Sequence, residues 1–244
     1  KEMLDALIFL TPFFLVSFLY STVGHGGASG YLAVMALLAV DLTLFRSTAL
    51  GLNIIVSFLG TLAYLKAGYF TGKLFWPITL AAVPFAYIGG TLEIQANHFR
   101  IILGLALCFA LIRLFIPENT DKKVKCAIMW QMMLSGSLIG FLSGLIGVGG
   151  GIFLTPLVIF MGWGSTKTAA AISSPFILIN SAAGLLGLRP SLYDFHSFFP
   201  FLALIVLVGG FVGSIWGSHF AASKQIRLLL ACVLGLAAFK LFYI

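Results

Sequence analysis

Charged residues are scarce in this chain. Only 9% of its 244 residues are charged and 61% are hydrophobic, whereas a soluble domain has about 25% charged and about 45–50% apolar residues. This composition excludes a water-soluble globular protein, because so few charges could not cover its surface. It also excludes intrinsic disorder, which requires low hydrophobicity and high net charge. The remaining class is a polytopic membrane protein.

Cysteine is also rare, and an odd count of three argues against a disulfide scaffold. The sequence lacks the CxxC and Cys/His clusters that bind metals, and it lacks HExxH, GxSxG and paired intramembrane carboxylates. We therefore expect no metal, no cofactor and no catalytic residue. The net charge of +7 does not indicate a nucleic-acid partner, because the basic residues lie at the ends of apolar runs, where they anchor helices at lipid headgroups.

Long stretches without charge predict transmembrane helices, since each stretch holds the roughly 20 apolar residues that cross a bilayer. The first half is expected to contain a segment at 4–22, a break at 23–30, a short helix at 31–40 and helices near 47–65, 74–92 and 99–116. The second half is expected to contain a segment at 127–146, a break at 147–151, a short helix at 152–161 and helices near 167–188, 196–219 and 225–243.

An internal repeat relates the two halves. The glycine clusters Gly24-His25-Gly26-Gly27 and Gly147-Val148-Gly149-Gly150-Gly151 lie 123 residues apart. Three further matches recur at a spacing of 124 residues: Ser57 with Ser181, Gly60 with Gly184, and Cys108 with Cys232. The sequence thus predicts an N-terminal repeat at 1–116, a linker at 117–126 and a C-terminal repeat at 127–244. The lysines of the linker indicate a cytoplasmic location.

The short helices leave two topologies open. A ten-residue helix spans only about 15 Å, half of the hydrocarbon core. In one topology the run 127–161 is a re-entrant hairpin, each half has three full crossings and the two halves are inverted, as in many secondary transporters. In the other, the run is one long bent crossing and the halves are parallel. We favour inverted repeats, which place the loops at Arg46 and Lys167 on opposite faces.

Consecutive glycines predict a break in the helix at each cluster, because glycine destabilises a helix interior. Irregular backbone inside a membrane is tolerated only within protein or beside a cavity. Each break would expose the N-terminal amides of the next short helix, where the helix dipole adds about half a positive charge. Two such ends form an anion site without a lysine or arginine. The alternative is close helix packing, which favours glycines four residues apart. Substrate-binding candidates in the breaks are Gly24, His25, Gly26, Gly27, Gly147, Gly149, Gly150 and Gly151.

Polar residues inside the apolar helices complete the candidate site. They either line a ligand cavity or join helices. Pro175 frees a backbone carbonyl beside two of them, Ser173 and Ser174. His25 could contact an anion, relay a proton or donate to a free carbonyl. The helical candidates are Thr48, Asn53, Ser173, Ser174 and Asn180.

The stretch Gly147-Val148-Gly149-Gly150-Gly151-Ile152-Phe153-Leu154-Thr155-Pro156-Leu157 resembles the GxGGG-containing motif of the TauE/SafE family of sulfite exporters. Ala171-Ile172-Ser173-Ser174, ending at Gly184, and the first-half stretch beginning at Ser47 look like a second block of that family. The first half departs from the motif, since His25 and Ala28 replace expected residues and no proline matches Pro156.

The resemblance implies a transporter of small sulfur-containing anions, such as sulfite, thiosulfate, sulfoacetate or toluenesulfonate, in the lipid bilayer of the bacterial inner membrane. It implies alternating access around a site at the membrane midplane. An anion channel, or a transporter of a non-sulfur anion such as a carboxylate, is the alternative. The oligomeric state stays open, with a monomer or a homodimer as the options.

Overall fold

The computed structural model describes residues 2–22, 24–115, 125–191 and 194–219, together with 238, 239 and 242. In this part of the chain the secondary structure is helical, without strands. The α-helices are α1 (Glu2–Ser21), α2 (Ala28–Leu37), α3 (Phe45–Lys66), α4 (Gly72–Thr91), α5 (Ala96–Phe115), α6 (Met129–Ile146), α7 (Gly151–Met161), α8 (Thr166–Leu188) and α9 (Phe199–His219). A 3-10 turn, Leu42–Leu44, precedes α3.

Helices α3, α4, α6, α8 and α9 are long and apolar enough to cross a membrane. The prediction of an all-α polytopic membrane protein is therefore confirmed. Three helices differ from their predicted starts by three residues: α2 begins at Ala28 rather than near residue 31, α5 at Ala96 rather than near 99, and α9 at Phe199 rather than near 196. Gly30 lies within α2 and packs against Val16 and Tyr20 of α1 with no room for a side chain. Linker residues 117–124 and most of the helix predicted at 225–243 lie outside the described residues.

The second half begins with a hairpin. Helix α6 ends at Gly147, whose left-handed conformation (φ 86°) turns the chain. Helix α7 then leads back, and the carbonyl of Gly162 at its end accepts a 2.7 Å hydrogen bond from the amide of Lys125, just before α6. The segment 125–162 therefore doubles back on itself, which is the geometry of the re-entrant topology and differs from one bent crossing.

Glycines spaced by four residues pack α6 against α4. A side chain at Gly136, Gly140 or Gly144 would overlap the backbone carbonyls of Ile78, Ala82 and Ala86 respectively, so the two backbones touch and the helices run parallel. In the same way, Gly209 and Gly213 of α9 lie against the carbonyls of Phe14 and Phe18 of α1. The first helix of each half thus packs against the fourth helix of the other half.

Helices α3 and α8, which correspond in the repeat, cross in antiparallel directions. Gly60, near the end of α3, lies against Ser174, while Leu50, near its start, lies against Gly184. Their middles meet where the Asn53 amide donates a 2.8 Å hydrogen bond to the Ser181 hydroxyl. Antiparallel corresponding helices are what an inverted repeat requires, and the inverted relation itself stays a prediction.

The helix ends define two faces of the molecule. At one, the half-buried guanidinium of Arg46 donates hydrogen bonds of 3.0–3.1 Å to carbonyls in the last turns of α4 and α6. This joins the start of α3 to the ends of both helices. Asp41, Glu93 and Asp194 lie at this face, beside the starts of α3 and α9 and the end of α4. Lysines mark the other face, where the Lys167 ammonium donates to the Tyr69 hydroxyl at 3.2 Å. They are Lys66, Lys73, Lys125 and Lys167.

By the positive-inside rule, the lysine face is expected to be cytoplasmic. Lys73→Cys and Glu93→Cys, at the two exposed ends of α4, should therefore react with a membrane-impermeant maleimide from opposite sides. The measurement needs a background without the exposed Cys126. Labelling of both positions from one side of intact cells would contradict the topology.

Candidate functional site

The first glycine break carries the chain from α1 to α2. Gly24 and Gly27 have φ angles of 74° and 94°, in the left-handed region that favours glycine. The carbonyl of Gly24 accepts a 2.9 Å hydrogen bond from the Ser174 hydroxyl of α8. Gly27 is the N-cap of α2 and has no side chain to cap it. The break therefore leaves the positive end of α2 to be satisfied by groups from elsewhere in the molecule.

The second break has the same design. Gly147, Gly149 and Gly150 all adopt positive φ angles of 75–88°. Left-handed conformations at neighbouring positions are costly for any residue with a Cβ. Gly150 is the N-cap of α7, again without a side-chain cap. Consecutive glycines thus break a helix in this protein, whereas glycines four residues apart pack α6 against α4.

Asn53, near the middle of α3, lies between the two breaks. Its side-chain oxygen accepts a 3.2 Å hydrogen bond from the Ala28 amide at the start of α2. A Cβ on Gly26 would overlap this oxygen, and a Cβ on Gly149 would overlap the Asn53 nitrogen. Both breaks therefore approach the same buried amide, and they can do so only because they are glycine at these points.

The two short helices begin at one shared pocket. A small cavity of about 10 Å³ is lined by Ala28 and Ser29 from α2 and by Gly151 and Ile152 from α7. This volume holds about one water molecule, so the two breaks pack closely around it. The other lining residues are Tyr20, His25, Gly26, Gly27, Asn53, Val148 and Ile177.

The electrostatic character of the pocket comes from backbone dipoles. The residues that line it carry no lysine, arginine or carboxylate, while two helix N-termini each contribute about half a positive charge. The described residues contain no group of three or more histidine, cysteine or acidic side chains able to hold a metal ion. The arrangement can therefore attract a small anion without forming a salt bridge to it.

Several predicted site residues lie near the breaks but outside the pocket lining. Gly24 and Ser174 bond to each other, and Ser173 shares a 2.9 Å hydrogen bond with Thr155 of α7. The amide nitrogen of Asn180 donates to the Gly149 carbonyl at 3.4 Å. The bonds of Ser174 and Asn180 reach backbone carbonyls of the breaks, and the bond of Ser173 joins α8 to α7, which are supporting roles. Gly150 lies against Phe176, and Gly147 packs on Arg46 at the arginine end of α3.

The hydrogen bond of Thr48 is made outside the two breaks. Its hydroxyl accepts from the amide of His196, at 3.1 Å, and so joins α3 to the loop before α9. Partial burial lowers the pKa of His196, and its ring nitrogen Nδ1 accepts a hydrogen bond from the Phe198 amide. Both observations agree with a neutral imidazole in this loop.

Six residues that line the pocket lie outside the set predicted from the sequence. Tyr20, Ala28 and Ser29 belong to the first half, and the hydroxyls of Tyr20 and Ser29 are 3.0 Å apart. Val148, Ile152 and Ile177 belong to the second half. The repeat spacing carried a usable signal, since Ile177 is the counterpart of Asn53 at 124 residues and Asn180 is not.

Comparisons with known proteins agree with this architecture. The family model described as "Sulfite exporter TauE/SafE" matches residues 9–241. "Probable membrane transporter protein y4hK" of Sinorhizobium fredii is 31% identical, over 98% of this chain and 99% of that protein. "Probable membrane transporter protein YjnA" of Bacillus subtilis is 22% identical, over 93% and 95% of the two chains. A "Probable membrane transporter protein" of Xylella fastidiosa is 25% identical, over 87% and 85%.

No solved structure matches the chain. The family match spans nearly the whole sequence, and the relatives carry the names of membrane transporters. Together with the five long apolar helices, this makes the protein a multi-pass transporter of the cell membrane for a small anionic substrate. The chain belongs to the sulfite exporter TauE/SafE family.

Proposed function

We propose that this protein is a secondary transporter that moves sulfur-containing anions, sulfite or small organosulfonates, and that the pocket between the two glycine breaks binds them. The observation that carries the proposal is the meeting of two half-helix N-termini at one pocket. Backbone amides at helix N-termini are established ligands of tetrahedral oxyanions. A sulfonate presents three such oxygens, enough to accept hydrogen bonds from both ends.

The depth of the pocket suits transport. Asn53 and Ile177, two of its lining residues, lie near the middles of α3 and α8. A ligand there is about equally far from both faces. Sites near the bilayer midplane, formed by interrupted helices, are typical of alternating-access transporters. Backbone dipoles attract an anion less strongly than a buried arginine would, so the ligand can also be released.

Two bodies are proposed to move relative to each other. One buried cluster contains residues of α1, α2, α3, α5 and α9 and extends to Ile146, Val148 and Ile152 at the second break. A second cluster contains residues of α4, α6, α7 and α8. The backbone contacts of α1 with α9 and of α6 with α4 support this grouping. Each body therefore takes its fourth helix from the other repeat, and the pocket lies where the two bodies meet.

Transport into proteoliposomes tests the function. Sulfite, thiosulfate, sulfoacetate and toluenesulfonate should be tested beside acetate and benzoate, with protein-free liposomes as the control. We expect saturable uptake of at least one sulfur anion and mutual competition among those that bind. Fast current without saturation would instead identify an anion channel. If only carboxylates move or compete, the sulfur-anion proposal is wrong.

A further inference from the structure

The two glycine breaks contact neighbouring helices at equivalent positions of the repeat. Gly147, which begins the second break, packs on α3, where a Cβ added to it would lie 3.0 Å from the Arg46 Cα. Gly24, its counterpart 123 residues earlier, packs on α8, where an added Cβ would lie 3.1 Å from the Ala170 Cβ. Ala170 in turn follows Arg46 by 124 residues. The same contact of the repeat therefore occurs twice, once with arginine and once with alanine.

These two contacts lie on opposite sides of the pocket along α3. Arg46 precedes Asn53, which lines the pocket, by seven residues, or about 10 Å along the helix axis. Tyr64, whose ring would lie 3.1 Å from a Cβ on Gly24, follows Asn53 by eleven residues, or about 16 Å toward the lysine face. An anion that leaves the pocket therefore passes the level of Arg46 toward one face and that of Tyr64 toward the other.

The Arg46 side chain joins α3 to two helices of the other proposed body. Its Nη1 donates a 3.0 Å hydrogen bond to the Leu92 carbonyl. Its Nη2 donates to the carbonyls of Gly89, Gly90 and Gly144, at 3.0–3.1 Å. These carbonyls lie at the ends of α4 and α6, where the amides of a following turn are missing and the helix dipole is negative. Because hydrogen bonds from a charged donor are the strong ones, the guanidinium closes this face by charge.

The lysine side of the pocket is closed by packing. Tyr64, Ala170 and Ala171 form a small buried cluster, and the Tyr64 hydroxyl donates a 3.4 Å hydrogen bond to the Thr22 carbonyl, just after α1. The alanine that corresponds to Arg46 has no side-chain donor with which to bond a helix end. Movement of the Arg46 guanidinium therefore leaves the closure on this side in place.

We propose that Arg46 is the gating residue of the face at which α3 begins. While its guanidinium bonds to α4 and α6, the two bodies stay together at that face and the pocket is closed to it. When these bonds open, the pocket opens to that face alone. The gate goes beyond the identity of the transported anion, and it rests on the two moving bodies of the proposed function.

The reactivity of a cysteine in the pocket tests the gate. Val148 lines the pocket and is 3% exposed. In a protein whose three native cysteines are replaced, Val148→Cys should react slowly with the membrane-impermeant cation 2-(trimethylammonium)ethyl methanethiosulfonate. Addition of Arg46→Gln should raise the reaction rate at least about ten-fold, since the loss of bonds to a charged group shifts the population toward the open form. The rise is expected only from the side that labels Glu93→Cys.

Arg189→Gln is the matched control. Arg189 lies at the same face, where α8 ends, and donates a 2.9 Å hydrogen bond to the Tyr87 hydroxyl of α4. This bond joins two helices of one body, so its loss should leave the reaction rate unchanged. Tyr64→Ala removes the ring on the other side of the pocket and should raise the rate from the lysine side instead.

An unchanged rate in Arg46→Gln, or an equal rise from both sides, would overturn the proposal. If Arg46→Gln does not fold, Arg46→Lys replaces it. The ammonium keeps the charge but lacks the planar set of donors that reaches both helices, so a smaller rise from the same side is expected, and an unchanged rate overturns the proposal. The measurement contains no transported anion. A one-sided rise in a protein that moves no sulfur anion would therefore refute the sulfur-anion function and leave the gate standing.

Discussion

Substitution of Gly149 by alanine is expected to abolish anion transport. The residue has a φ of 75°, and a left-handed conformation costs a residue with a Cβ about 1–2 kcal/mol. The added carbon would also overlap the Asn53 amide and lie 2.6 Å from the Ser181 hydroxyl. The backbone of the break must then shift, and the amides at the start of α7 leave the pocket. Uptake by equal amounts of reconstituted protein measures the effect.

Gly68→Ala is the matched control. Gly68 has nearly the same φ, 76°, but a Cβ there would meet no atom within 4 Å. It should keep transport, which separates backbone strain from disruption of the pocket. Gly26→Ala tests the first break. Its added carbon would overlap the Asn53 oxygen, but Gly26 has no positive φ angle, so this variant tests the overlap without the backbone strain. Wild-type transport by folded Gly149→Ala protein would contradict the assignment of the breaks to the site.

Asn53→Asp is expected to weaken anion binding on the order of a hundred-fold at neutral pH. The change keeps the shape of the side chain and adds a negative charge beside the ligand. At about 5 Å and an effective dielectric constant of about 20, two like charges repel by roughly 3 kcal/mol. An aspartate oxygen can still accept from the Ala28 amide and from the Ser181 hydroxyl, so the fold should survive. Equilibrium binding of ethanesulfonate measures the effect.

The pH dependence of this variant gives a second readout. Lowering the pH protonates the new carboxyl and removes its charge, so binding should recover as the pH falls. Because His25 also lines the pocket and can gain a proton, the test is that the gain exceeds that of the wild type over the same pH range. Asn97→Asp, the same change at an exposed position near the start of α5, serves as the control and should bind normally. Equal binding by Asn53→Asp and wild type at neutral pH would show that the anion lies elsewhere.

The helices and breaks could be predicted because their causes are local. Charges limit the apolar runs, and consecutive glycines mark the points where the chain leaves helical geometry. Helix α2 starts at Ala28 and includes Gly30, which packs against Val16 of α1 without room for a side chain. Such a contact depends on which helices become neighbours, and local sequence does not contain that information.

The surroundings of the candidate site residues could be predicted only in part for the same reason. The glycine breaks and Asn53 lie together, and their role in binding stays a prediction. Thr48 bonds to the loop before α9, and its polar character alone could not reveal that partner. Val148, Ile152 and Ile177 were not predicted because they look like ordinary membrane-core residues in sequence. Their place in the pocket lining becomes visible only when both halves are folded around one cavity.

Crystals of the protein grown with 2-bromoethanesulfonate would test the central claim most directly, because anomalous scattering locates both bromine and sulfur. We expect the sulfur between the starts of α2 and α7, with sulfonate oxygens about 3 Å from amides such as those of Gly151 and Ile152. A ligand bound only at the lysine face, with no anomalous signal between the two glycine breaks, would contradict it.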